Sequence, residues 1–95
     1  MQALEASRVG GRRIIPDYDF TATSLGNNNV YTVVTYTRPD GTQFMVSTLS
    51  NPNGGGWYQT DIWQFYDPTG VTMIETVTWT VAYDSSGNII SAVMS

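Results

Sequence analysis

Apolar and polar residues alternate through most of the chain after residue 17, in segments separated by clusters of Pro, Asp, Asn and Gly. That period of two predicts strands, and the clusters predict turns. Residues 30–38 (VYTVVTYTR) and 42–49 (TQFMVSTL) flank Pro39-Asp40-Gly41. Proline presets the first turn angle and glycine accepts left-handed backbone, so a three-residue hairpin loop with a bulge is expected. Residues 57–66 (WYQTDIWQFY) and 71–83 (VTMIETVTWTVAY) flank Asp67-Pro68-Thr69-Gly70, and residues 84–88 (DSSGN) lead into residues 89–94. The recurrent Tyr-Asp-x-x-Gly at residues 66–70 and 83–87 follows from turn chemistry, with Asp opening and Gly closing each turn. With residues 18–23 as a first strand, the pattern reads as an all-β antiparallel meander of about six strands.

The faces of these strands predict how the sheet is covered. A three-residue loop after Arg38 opposes Tyr36 to Phe44 and Val34 to Val46, making one apolar face. The other face then carries Tyr31, Val33, Met45 and Leu49 among Thr35, Thr37, Gln43 and Ser47. Along residues 71–83, Val71, Met73, Val77, Trp79, Val81 and Tyr83 share a side, with mostly threonines opposite. Ile74 and Glu75 break that alternation, which predicts a bulge, and the Thr-rich outer face of so long a strand offers an edge for pairing. A sandwich or flattened barrel is expected to bury the cleaner set. The second set needs other cover. Two polar stretches, residues 24–29 (SLGNNN) and 50–56 (SNPNGGG), read as connectors, the latter long enough to cross between sheets or to form a contact loop.

Charge divides the chain into an extended basic N-terminal arm, residues 1–15, and a single β domain, residues 16–95. The arm holds Arg8, Arg12 and Arg13 against one acid, whereas the remainder holds seven acids and Arg38. This asymmetry suits an arm lying on an acidic surface, its own or a neighbour's. The arm lacks the apolar centre of a secretion signal, and no apolar run approaches the roughly 18 residues of a membrane span.

Composition narrows the chemistry. The 95 residues include no His, Cys or Lys, which excludes thiolate and His-ligated metal sites, Ser-His-Asp catalysis, P-loop lysines and Schiff bases. A net charge of −4 argues against nucleic acid, and no cofactor is expected. Asp61 and Glu75 lie in adjacent expected strands and become diagonal neighbours in one register, the arrangement a glycosidase pair requires. Asp17, Asp19 and Asn27 to Asn29 offer oxygens, but their spacing fits no calcium loop. Only 13% of residues are charged, while thirteen Thr, eight Ser and six Asn supply neutral polarity, a composition that desolvates cheaply against another surface.

The cluster Trp57, Tyr58, Trp63, Phe65 and Tyr66 has three readings: core, protein interface, or a platform on which sugar rings stack. Alternation puts Trp57, Trp63 and Phe65 on one face and Tyr58, Ile62 and Tyr66 on the other. The expected function is a non-enzymatic assembly subunit of a larger particle, a virus or phage virion component such as a capsid decoration, cement or tail protein. Its partners are other protein subunits, met through Arg8, Arg12 and Arg13 and through Tyr31, Val33, Met45 and Leu49. The alternative is an extracellular carbohydrate-binding module using Trp57, Tyr58, Trp63 and Tyr66.

Overall fold

The computed structural model describes residues 18–95; the basic arm, with Arg8, Arg12 and Arg13, lies outside the described residues. Six strands follow: β1 (Asp19–Leu25), β2 (Tyr31–Thr37), β3 (Gln43–Pro52), β4 (Tyr58–Tyr66), β5 (Met73–Tyr83) and β6 (Ile89–Met94). Each pairs antiparallel with the next in sequence, giving one sheet in the order β1-β2-β3-β4-β5-β6. The all-β meander is therefore as expected. The sandwich or flattened barrel is not: the described residues form one open sheet that does not close into a barrel. The connections explain this. Residues 50–56, expected to cross between sheets or to form a contact loop, instead prolong β3 to Pro52 and end in a tight turn, with Asn53 N–H donating to the Trp57 carbonyl at 2.8 Å. Every connection among the described residues closes a hairpin between neighbouring strands, so none crosses into a second layer.

The loop after β2 forms as its sequence dictates. Arg38 N–H donates to Thr42 O at 2.8 Å, Gly41 N–H donates to Arg38 O at 2.9 Å, and Gly41 takes the left-handed φ of 90°. Thr37 consequently faces Gln43. One residue later the ladder shifts: Tyr36 faces Met45 and Val34 faces Ser47, leaving Phe44 as the extra residue of a bulge. The expected pairs Tyr36–Phe44 and Val34–Val46 are thus displaced by one. Met45 and Leu49, expected beside Tyr31 and Val33 on a partner-facing surface, lie instead on the Val34–Tyr36 side, 2% and 6% exposed. Tyr31 and Val33 are half-buried on the opposite, Thr-rich side.

The core is the result of that shift. Val34, Tyr36 and Met45 are its buried centre, with Phe20, Ala22, Phe44, Trp63 and Phe65 packed against it. A second cluster joins Val30, Leu49 and Tyr58, with Trp57 against them. The bulge expected at Ile74 and Glu75 is present, since Phe65 faces Glu75 while Tyr66 faces Met73. Downstream of it, Val77, Trp79 and Val81 alternate with Thr76, Thr78 and Thr80 as the pattern requires.

Arg38 fastens the Phe44 bulge. Its guanidinium donates to the carbonyls of Gln43 (3.0 Å), Asp67 (2.8 Å) and Tyr66 (2.7 Å) and to Thr42 Oγ1 (3.2 Å), and lies 5.4 Å from the Phe44 ring centroid. One side chain thus ties the β2–β3 loop to the end of β4. The planar fork suits several carbonyls at once in a way a lysine ammonium does not.

Two stability outcomes are expected in urea titration. Met45→Ala should cost about 2–5 kcal/mol, whereas Val33→Ala on the opposite face should cost less than about 1.5 kcal/mol. Arg38→Ala should cost about 2–3 kcal/mol, with Arg38→Lys recovering only part of the loss.

Candidate interaction surface

The aromatic residues singled out from the sequence do not form one platform. Rings run in contact across one face: Tyr18 to Phe44 (4.6 Å between centroids), Phe44 to Phe65 (5.6 Å), Phe65 to Trp63 (6.3 Å) and Trp63 to Trp79 (5.3 Å). Trp63 is therefore part of the packed row. Tyr58 is core, and its hydroxyl accepts the Asn27 N–H at 2.9 Å. Trp57 stacks on Tyr83 at 5.9 Å and lies so close over Gly87 that a Cβ there would run into the indole. Tyr66 is half-buried at the end of β4, where its carbonyl accepts from Arg38. The indole N–H groups of Trp63 and Trp79 are buried with no hydrogen-bond partner.

The carboxylate candidates are also separated. Asp61 faces Trp79 and Glu75 faces Phe65, so the two share a face but stand four residues apart along the ladder. That is roughly 13 Å at the rise of a strand, beyond the ~5–9.5 Å of paired glycosidase carboxyls. Asp61 is buried and accepts a hydrogen bond from Ser47 Oγ, while Glu75 is exposed. Asp19 begins β1 and Asn27 to Asn29 follow its far end, so these oxygens do not converge; Asp17 lies outside the described residues. Among the described residues no cluster of three acidic side chains is placed to hold a metal.

What the fold does leave open is the β6 side of the sheet. Among the described residues β6 pairs only with β5, and all six of its residues are exposed, including Ile89 (42%), Ile90 (65%), Val93 (62%) and Met94 (60%). The edge expected on β5 survives in part. Trp79 to Tyr83 are covered by β6, whereas Met73 to Val77 extend past it in the ladder, with Met73 and Ile74 exposed. The signal for β6 was in the sequence: IISAVM contains no charge, proline or glycine. Alternation alone does not reveal it, because an edge strand and an interior strand carry the same period.

The hairpin presenting β6 is closed by Asp84. Its carboxylate accepts from the backbone N–H groups of Ser86 and Asn88, both at 2.9 Å, and from Asn88 Nδ2 at 3.2 Å. The backbone and side-chain bonds from Asn88 hold its pKa below the ordinary 3.8, against a smaller desolvation effect. Thr42 and Thr69 act in the same way on Asp40 and Asp67 in the earlier turns, their side-chain hydroxyls foremost. All three turns thus close on an ionised aspartate.

No protein-family model matches the chain, and no curated protein or solved structure matches it significantly.

Because each aspartate's pKa is lower folded than unfolded, its stabilisation is present above about pH 3.8 and is lost as pH falls through the lower folded value. The protection of the Ile89 and Ser91 amides against exchange, taken relative to the intrinsic rate at each pH, should therefore fall on acidification below that point. Asp84→Asn should weaken this dependence in the β5–β6 hairpin alone.

Proposed function

We propose that the chain is a non-enzymatic assembly subunit of a larger particle, in which its sheet edge and its weakly charged faces meet other protein subunits. A virus or phage virion is the setting that best fits these features, with the chain as a decoration, cement or tail component. The observation that carries the reading is β6: an edge strand free of charge and exposed at all six residues, on an open sheet. Soluble proteins ordinarily blunt such an edge with lysine, proline or a covering segment. The surroundings favour contact as well, since threonine hydroxyls shed water at far lower cost than charges. The basic segment with Arg8, Arg12 and Arg13 supplies a complement to the acidic remainder of a neighbouring copy. Packing of Tyr58 and Trp63 within the chain weighs against the carbohydrate-binding alternative, which needs those rings free.

The test is made on particles from the source organism. The chain should band with them on a density gradient at a fixed ratio to the major subunit. Joint substitution of Arg8, Arg12 and Arg13 by Ala should reduce incorporation while leaving the circular dichroism unchanged. Recovery of the chain only in soluble, low-mass fractions overturns the proposal.

A further inference from the structure

The two edges of the sheet differ in a way that selects a partner for β6. β1 carries the charged Asp19 and is kinked by Ser24, whose φ of 62° is left-handed for a residue with a Cβ. Both features hinder the addition of a strand there. β6 has neither. The direction of its free backbone groups follows from the bond that Ser95 N–H donates to Thr78 O at 2.9 Å. That bond makes Ser95–Thr78 a hydrogen-bonded pair, so by antiparallel alternation Val93–Thr80 and Ser91–Ala82 are hydrogen-bonded pairs too. Ala92 and Met94 then direct their N–H and C=O groups outward. Ile90 is the extra residue of a bulge and stands outside this alternation.

We infer that β6 pairs antiparallel with β6 of a second copy of this chain, about a two-fold axis at Val93. In this register Val93 faces Val93 of the second copy in a close, non-hydrogen-bonded pair. Ala92 exchanges backbone hydrogen bonds with Met94 of the second copy, and Met94 with its Ala92. Antiparallel strands related by a two-fold axis perpendicular to the sheet keep each face continuous, so the Trp79–Met94 side of one copy adjoins that of the other. Charge permits a second copy as the partner. The chains are both acidic, yet residues 91–94 bring no ionisable side chain to the joint, and Asp84 lies beyond the opposite end of β6. Closure favours a second copy. With β1 guarded, β6 cannot continue into an endless head-to-tail sheet and instead closes as a pair.

This inference rests on the assembly reading and names the partner at one of its surfaces. A single strand pair falls short of the ~1,200 Å² of a standard interface, so the dimer belongs to the weak class that forms at high local concentration.

The test uses the full chain in sedimentation velocity across a concentration series. Wild type should pass from monomer to dimer, and not to larger species. Val93→Lys and Val93→Glu place like charges opposite each other across the axis, and each should be monomeric throughout. Mixed in equal amounts, the two should recover the dimer. Ala92→Pro removes an outward N–H while sparing the β5–β6 ladder, and it should also be monomeric with unchanged circular dichroism. A wild type that stays monomeric, a dimer that survives V93K or A92P, or a V93K/V93E mixture that fails to associate would each overturn the inference. If V93K still incorporates normally into particles, the β6 pairing is wrong while the assembly role stands; loss of wild-type incorporation would instead remove the assembly role itself.

Discussion

The structure depends on one extra residue. After the Pro39-Asp40-Gly41 loop, Phe44 bulges out of the β2–β3 ladder and moves every later β3 side chain to the other face. Without it, Met45, Ser47 and Leu49 would lie among Thr35 and Val33, and Val34 and Tyr36 would face Val46 and Phe44. With it, Val34, Tyr36 and Met45 meet as the buried centre. Arg38 makes the bulge a defined feature, because the same guanidinium lies by the Phe44 ring and holds the Gln43 carbonyl. Its further bonds to Tyr66 and Asp67 make β4 sense the bulge as well.

Among the described residues the sheet has no second layer, and aromatic side chains cover much of its apolar face. A row of rings from Tyr18 through Phe44, Phe65 and Trp63 to Trp79 spans the sheet and buries area that a facing sheet would otherwise supply. The row has a polar cost, since the indole N–H groups of Trp63 and Trp79 are buried without partners. Polar order is concentrated at the turns instead. Asp40, Asp67 and Asp84 each accept hydrogen bonds from the backbone that they turn, so the hairpins close locally whatever happens along the strands.

Strand number and the positions of most turns were legible because each has a local cause. Pro39-Asp40-Gly41 closes where its residue types dictate, and residues 89–94 form the strand that their composition demands. The Ile74–Glu75 bulge was legible too, as a break in period. The Phe44 bulge was not, because the alternation reads equally well in either register and Phe44 fits an apolar face in both. That ambiguity placed Met45 and Leu49 on the wrong face and so marked two core residues as interface. The single layer was hidden by residues 50–56, whose Gly-Asn composition suits a long crossing as well as a tight turn. The left-handed Asn51, at φ 58°, lets β3 run on to Pro52 within that stretch. For the surface, composition pointed to contact, but the location of the edge depended on which strand came last in the sheet.

The missing lysines gain a structural meaning from this order of strands. Lysine is the usual guard of an exposed edge, since its charge resists desolvation when a foreign strand approaches. A chain with no lysine must guard its edges in other ways, and β1 does so with Asp19 and the turned backbone at Ser24. Among the described residues β6 has neither charge nor proline, and its only irregularity is the Ile90 bulge beside the 84–88 turn. An uncharged edge opposite a blunted one is what the proposed pairing of β6 with a single partner strand requires. A small open sheet with one such edge can meet a partner without polymerising, as the proposed assembly role requires.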